Sequence, residues 1–458
     1  MVSQTNNLPP ELSARLQIQL GEQFDAFQKA MISSSPISIR LNPNKPTASF
    51  KQFETVPWCS NGRYLDSRPR FTDDPLFHAG TYYVQEASSM FLEYLLTNLI
   101  DLTQDLRVLD LSAAPGGKST LLQSLLTQDS LLVANEVISS RNKVLHQNMV
   151  RWGGDNHIIT QSDPRHFKKL PDFFDVILVD APCSGEGLMR KEPSAMQEWS
   201  QQNVLLCAAR QKRILADVLP ALASGGTLIY STCTFSEEEN EQNMAWLHAE
   251  ASLIPTSVSP PASWGVHFSD SNLATYRFYP HLVKGEGFFI AAFKKAGETS
   301  SRPLKKHKKP QKFRTETVTS EDQYWLAKPD RYFYQTRDQH RIAFPKSIFG
   351  DYLELSKAIR ITHSGLNMGK VYHDKLKPSP ELALSQFVST ELPTIDLDIE
   401  SALDYLAHIN LSHFETPEAG RYLVTYNGFG LGWMNVLKTG QIRNNYPSAW
   451  RILQRYRK

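Results

Sequence analysis

The chemistry-bearing residues of this chain gather behind two apolar runs. FDVILVD, the most apolar run, ends in Asp180 and passes directly into Ala181-Pro182-Cys183-Ser184-Gly185. A second run, GGTLIYSTCTFSEEEN, places Cys233 between two threonines. In an open α/β sheet the carboxyl ends of the strands carry the site. The sequence predicts a helix immediately after Cys233, whose N-terminal partial charge would favour a thiolate. Two thiols and a carboxylate so placed suit covalent, nucleophilic chemistry. The competing reading of Cys183 is a small buried hydrophobe. Cys59 and Cys207 lack such a setting, and Cys207, inside the helical VLLCAAR, reads as core.

A ligand loop lies upstream. LRVLDLSAAPGGKST, residues 106–120, reads as a buried parallel strand, a turn holding Gly116 and Gly117, and a helix with Leu121, Leu122, Leu125 and Leu126 on one face. This order brings bare backbone N–H groups and a helix N-terminus to a ligand. Glu136 closes the next apolar run, LLVANE, where an acid would take the hydroxyls of a ribose. Together they predict a nucleoside-type ligand.

Stepping outward, residues 105–295 alternate strand and helix, which predicts an α/β fold built on a parallel sheet. The expected strands are 107–112, 131–136, 157–160, 174–180 and 226–231, followed by an antiparallel pair near 275–294. The expected helices are 118–127, 139–151, 196–219 and 237–249, the last opened by a capping box of Ser236 and Glu239. Residues 1–104 read as an appendage, either facing the substrate or capping the sheet, with one amphipathic helix up to about residue 30 and a short strand in SIRLNPNK. A linker is expected at 296–320. Seven of the thirteen residues 302–314 are Lys or Arg, so it is either a solvated run or a phosphate binder. Beyond it the chain divides into 321–394 and an aromatic, basic 395–458 of the kind found in small RNA-binding barrels.

Composition narrows the function classes. Net charge is only +2, so any nucleic-acid surface must be local. Four cysteines without a CxxC pair argue against a disulfide framework or zinc site and for a reducing, cytoplasmic setting. No apolar run is long enough for a membrane span, and the N-terminal residues have no signal-peptide core.

AAPGGK, Glu136, DAPCSGEG and STCTFSEEEN resemble, in order and spacing over about 36–295, the motifs of the Nol1/Nop2/Sun family of RNA cytosine-5 methyltransferases. LGW and NNYP near the end resemble that family's PUA-type RNA-binding module. The resemblance implies a Rossmann-like S-adenosylmethionine-dependent methyltransferase domain, an N-terminal RNA-side domain and a C-terminal extension containing a PUA-like β-barrel. It implies Cys233 as the nucleophile on cytosine C6, Cys183 in product release, and Asp180 holding the base and stabilising the adduct. It also implies that Ala113, Ala114, Pro115, Gly116, Gly117, Lys118 and Ser119 form the cofactor loop, with Glu136 on the ribose, Asp163 on the adenine amine and Asp180 among the cofactor contacts. Lys118 would steer the cofactor's carboxylate or the RNA backbone. Arg190 and Lys191 are candidate phosphate contacts or ordinary surface charges. Ser112, rather than the glycine of many methyltransferases, opens the loop, and Ser119 stands where many relatives have Thr.

The expected substrate is a cytosine of 16S rRNA in the decoding region, within the 30S subunit, with no membrane or obligate protein partner. A chain cut after about residue 315 is expected to keep cofactor binding and lose RNA affinity. Two rival readings differ in class. A P-loop ATPase would use SAAPGGKS, but the first glycine is missing and Pro115 removes a backbone donor. A non-catalytic RNA-binding factor would leave two well-placed thiols without a role.

Overall fold

A computed structural model describes residues 8–192, 194–251, 253–270, 272–297, 316–373, 375–409, 411 and 418–453. The basic run 302–314 lies outside these residues.

The centre is a large mixed sheet. Its parallel part comprises β1 (Arg107–Asp110), β2 (Leu131–Asn135), β3 (His157–Thr160), β4 (Phe174–Asp180) and β5 (Leu222–Thr232), in the order β5-β4-β1-β2-β3. β6 (Phe288–Lys295) runs antiparallel to β5. The strand interiors are largely apolar because both faces are covered. Val108, Leu132, Ala134, Ile159, Leu178 and Ile229 enter one core. Their neighbours Leu109, Val133, Ile158, Ile177, Val179 and Leu228 enter the other. The period of two along each strand thus divides the side chains between two cores.

Four helices matter for the site: α1 (Gly117–Leu125), α2 (Ser139–Trp152), α3 (Gln201–Val218) and α4 (Glu241–Glu250). The helix expected at 196–219 is two pieces, Ser194–Glu198 and α3. Trp199 is buried between them with its indole N–H donating to Glu186, and Ser200 starts α3 by accepting from the Asn203 N–H. α4 begins at Glu241 rather than 237, and the Ser236–Glu239 capping box does not form. Ser236 donates instead to Glu238, and Glu239 turns inward.

The N-terminal part has two helices, Pro10–Leu20 and Phe24–Ile32, where one was expected, separated at Gly21 with φ of +51°. A three-stranded antiparallel sheet follows, with Ile37–Leu41 between Gly62–Leu65 and Tyr82–Val84. Its buried Arg40 crosses to α1, donating to Gln85, to Thr120 Oγ1 at 2.6 Å and to the Gly117 carbonyl, with its guanidinium over Trp152.

The C-terminal part holds two four-stranded sheets. The second contains the parallel pair Thr394–Asp396 and Gly420–Tyr426. Leu423 and Trp433 of that sheet share a core with Tyr334, Leu366 and Met368 of the first. Two further segments join the central domain. Ile361–Ser364 lengthens the large sheet beyond β3, and Ile348, Leu355 and Ile359 fill its core beside Phe167. Truncation near residue 315 would therefore strip side chains from the catalytic core, so it cannot separate RNA affinity from cofactor binding as the sequence suggested.

Candidate active site

The strand ends converge on one place. At the end of β1 the chain turns through Leu111–Gly116 into α1, with Gly116 at φ of +117°, a region that L side chains rarely adopt. Asn135, the last residue of β2, ties three strand ends together. Its amide donates to the Leu111 and Ser162 carbonyls, and its oxygen accepts from Thr160 Oγ1 and the Ser162 N–H. Asp110, closing β1, is fully buried and accepts from Ser119 Oγ at 2.6 Å. Burial lifts its carboxyl to about 7, and nearby Asp180 adds to the rise against the Ser119 bond.

The residues expected to hold a cofactor fall along this rim. Ala113 to Ser119 form the turn and first helical residues. Glu136 follows β2, its side chain almost wholly enclosed, accepting from the Ile138 N–H at 2.9 Å and facing Arg141 at 3.5 Å. Asp163 lies beyond β3, half exposed, and caps the next turn by accepting from the Arg165 N–H. A glycine turn with an acid after each of the next two strands is a donor and acceptor set that an adenosyl group fits.

β4 and β5 lead to the candidate reacting groups. Asp180 Oδ1 accepts from Ser231 Oγ at 2.6 Å, while Oδ2 meets Lys118 Nζ at 2.8 Å. Burial works against the Lys118 ammonium, but Asp180 outweighs it, aided by Asp110 and Cys233, and the group is held above its ordinary value. Lys118 thus faces Asp180 across the strand ends, not outward to a phosphate chain, which disfavours the P-loop reading.

Cys183 and Cys233 stand with their sulfurs 3.2 Å apart, both partly accessible and neither in a disulfide. Hydrogen bonding to Cys233, then burial and the negative groups at Cys233 and Glu239, push the Cys183 thiol well above its usual range. The expected helix N-terminus beside Cys233 is absent, because α4 starts eight residues later and a helix dipole acts only within about its first turn. The cation that does reach the thiols' surroundings is Lys118.

A buried polar frame holds both cysteine loops. Glu239 accepts from the Ser184 N–H at 3.0 Å and from Gln211 at 2.7 Å, and Gln211 also donates to the Pro182 carbonyl. Burial pushes the Glu239 carboxyl up to about 7 despite these donors. Thr232 Oγ1 donates to Asn240, whose amide returns to the Thr234 carbonyl, bracketing Cys233. The Gly187 N–H donates to the Cys233 carbonyl, and a side chain at Gly187 would strike the Gly287 carbonyl oxygen at 2.4 Å.

The two candidate phosphate contacts differ. Arg190 is enclosed, each guanidinium nitrogen engaged by Ser33, Ser34 or Gly285, beside Glu286. It braces the N-terminal segment with its side chain only 5% exposed and four of its five N–H groups engaged, which disfavours the phosphate reading. Lys191 is exposed. Cys207 is a core residue as expected, and Cys59, which donates to Glu93, is buried too. Asp110, Asn135, Ser231, Glu239 and Asn240 were missed as site residues. Their signal is a polar residue closing or following an apolar strand.

Three family models match the chain. The model for 16S rRNA methyltransferase RsmB/F matches residues 97–294, that for the N-terminal domain of 16S rRNA methyltransferase RsmF matches 8–87, and that for the methyltransferase RsmF PUA domain matches 392–452. Among curated relatives, ribosomal RNA small subunit methyltransferase F of Shewanella loihica is 33% identical over 90% of this chain and 88% of its own. The protein of the same name from Cronobacter sakazakii is 30% identical over 86% and 84%. Among solved structures, a methyltransferase homolog protein from Pyrococcus horikoshii superposes with a TM-score of 0.51 at 30% identity, covering 63% of this chain and 100% of that one. NSun6 from the same organism, solved with SFG, shares the fold at a TM-score of 0.53 and 21% identity, covering 63% and 99%.

Proposed function

The chain belongs to the RsmB/F family of 16S rRNA methyltransferases and is a small-subunit rRNA methyltransferase; from that premise we propose that it methylates C5 of one cytosine through a covalent cysteine adduct. S-adenosylmethionine supplies the electrophilic methyl group. The Ala113–Ser119 turn, Glu136 and Asp163 are the residues to hold it. The substrate is 16S rRNA in the 30S subunit, at the decoding region.

The sulfur pair beside the Lys118–Asp180 ion pair carries the reading. C5 of cytosine is a weak nucleophile. Addition of the Cys233 thiolate to C6 turns the ring into an enamine whose C5 can take the methyl. Asp180 faces the N3/N4 edge and stabilises the adduct. The hydrogen bond with Cys233, and then burial, hold the Cys183 thiol well above its usual range. Bonding of Cys233 to C6 ends that hydrogen-bonded pair and leaves Cys183 as the base. It then takes the proton from C5, the Cys233–C6 bond breaks, and 5-methylcytosine leaves with the Cys233 thiolate restored. The base must leave its stack to reach these strand ends.

RNA bearing 5-azacytosine at the target, which has no C5 proton to lose, tests this. The wild-type protein is expected to remain covalently attached to it, and Cys233→Ala is expected not to. On ordinary RNA, Cys183→Ala is expected to accumulate attached RNA. Loss of attachment in Cys183→Ala with retention in Cys233→Ala would reverse the two roles.

A further inference from the structure

A second cluster of chemically competent side chains lies away from the strand ends, where the C-terminal part docks on the central sheet. His146 comes from α2, His363 from the edge strand Ile361–Ser364, and Glu381 from the short helix Pro380–Leu384. His146 Nε2 is 3.3 Å from Glu381 Oε1, and His363 Nε2 is 3.8 Å from Oε2. One ligand atom from each of the three lies within 4.8 Å of the others. The two imidazoles face one another with ring centroids 4.4 Å apart. His157 of β3 stacks on His363. A cavity of about 10 Å³, room for a single water, opens beside them between Gly153, Gly154, His157, His363 and Glu381.

Two ligands about 2.0–2.2 Å from a tetrahedral ion stand roughly 3.3–3.6 Å apart. The 3.3 Å separation between His146 and Glu381 matches that geometry and the 3.8 Å one to His363 is slightly wider, and two imidazoles with one carboxylate are a donor set for a first-row divalent ion such as zinc. No spacing motif announces it, because His146 lies more than two hundred residues before His363 and Glu381 in sequence.

We propose that His146, His363 and Glu381 bind one divalent transition-metal ion, with water as the fourth ligand, stapling the C-terminal part to the methyltransferase domain. The staple would act on α2, whose first turn carries Arg141, facing Glu136, and Asn142, which accepts from Thr362. It would fix the edge strand and thereby the placement of the C-terminal sheets against the catalytic rim.

The test uses the full chain, stripped with a chelator and titrated with Zn²⁺ alone, following stoichiometry by calorimetry and the melting temperature. One ion per chain and a higher melting temperature are expected, with binding at least about tenfold weaker in His363→Ala and in Glu381→Gln. Glu381→Gln keeps the side chain's size and carries the test if His363→Ala does not fold. A Cys183→Ser, Cys233→Ser chain is expected to bind Zn²⁺ unchanged, which separates this site from the thiol pair. No uptake by the wild-type chain, undiminished binding in Glu381→Gln, or loss of binding in the Cys→Ser chain would overturn the proposal.

Discussion

Lys118 and Asp180 show what one pair of side chains does here. Removing the ammonium leaves Asp180 largely enclosed with Ser231 as its remaining partner. Lys118→Met is expected to cost about 1–3 kcal/mol, below the figure for a fully buried pair because Asp180 is about a third exposed. Methylation is expected to fall by at least about a hundredfold at saturating cofactor, measured by single-turnover transfer of labelled methyl. Unchanged transfer would deny the pair its part in the site. Asp180, Cys183 and Cys233 were legible because each follows an apolar strand, where core packing has no use for it. Glu239 was not, since Ser236 and Glu239 have the spacing of a capping box and only the fold reveals that the carboxylate turns inward to the Cys183 loop. The setting of Arg190 was not legible for a related reason. Its charge suggested a phosphate, but the carbonyls of Ser33, Ser34 and Gly285, far away in sequence, claim it.

At the scale of elements, the strand ends hold their shape through short polar ties rather than length. Asn135→Leu is nearly isosteric but removes all four hydrogen bonds that join the ends of β1, β2 and β3. Leaving those buried groups unpaired is expected to destabilise the protein by about 2–4 kcal/mol, seen as a lower urea midpoint, and to weaken cofactor binding. A midpoint within error of wild type would show the ties to be dispensable. Gly116→Ala asks the same of the turn. An alanine at φ of +117° is strained by about 1–3 kcal/mol, so the turn is expected to shift and S-adenosylmethionine affinity to drop in calorimetry. The parallel sheet and most strand limits could be read from apolar runs, whereas the strand order could not. The break at Trp199 could not, because the 196–219 text is helical on both sides and the interruption comes from the distant Glu186 carboxylate.

Over the whole molecule, well-buried polar links help to join the three parts. The Lys45 ammonium donates to the Ala79, Arg151 and Leu384 carbonyls, one from the N-terminal part, one from α2 and one from the C-terminal part. Lys45→Met leaves all three without that donor, and a loss of about 2–4 kcal/mol is expected in urea unfolding. His78 adds a pH dependence. It is held neutral between the Thr72 carbonyl and the Tyr446 hydroxyl, with burial first and Arg151 second lowering it from 6.5 to about 4. Between those values the unfolded chain binds a proton that the folded chain refuses. Its contribution is therefore complete above pH 6.5 and declines as pH falls toward 4, by up to about 3 kcal/mol. His78→Gln is expected to flatten the melting temperature over that range. These links were invisible in the sequence, since nothing local marks a lysine or histidine whose partners lie in other parts of the chain.

Mapping 5-methylcytosine along 16S rRNA, after incubating the protein with S-adenosylmethionine and unmodified 30S subunits, tests the central claim most directly. A single new mark in the decoding region, absent with Cys233→Ala, is the expected result. A methyl group on another base or another atom of cytosine, or an undiminished mark with Cys233→Ala, would contradict it.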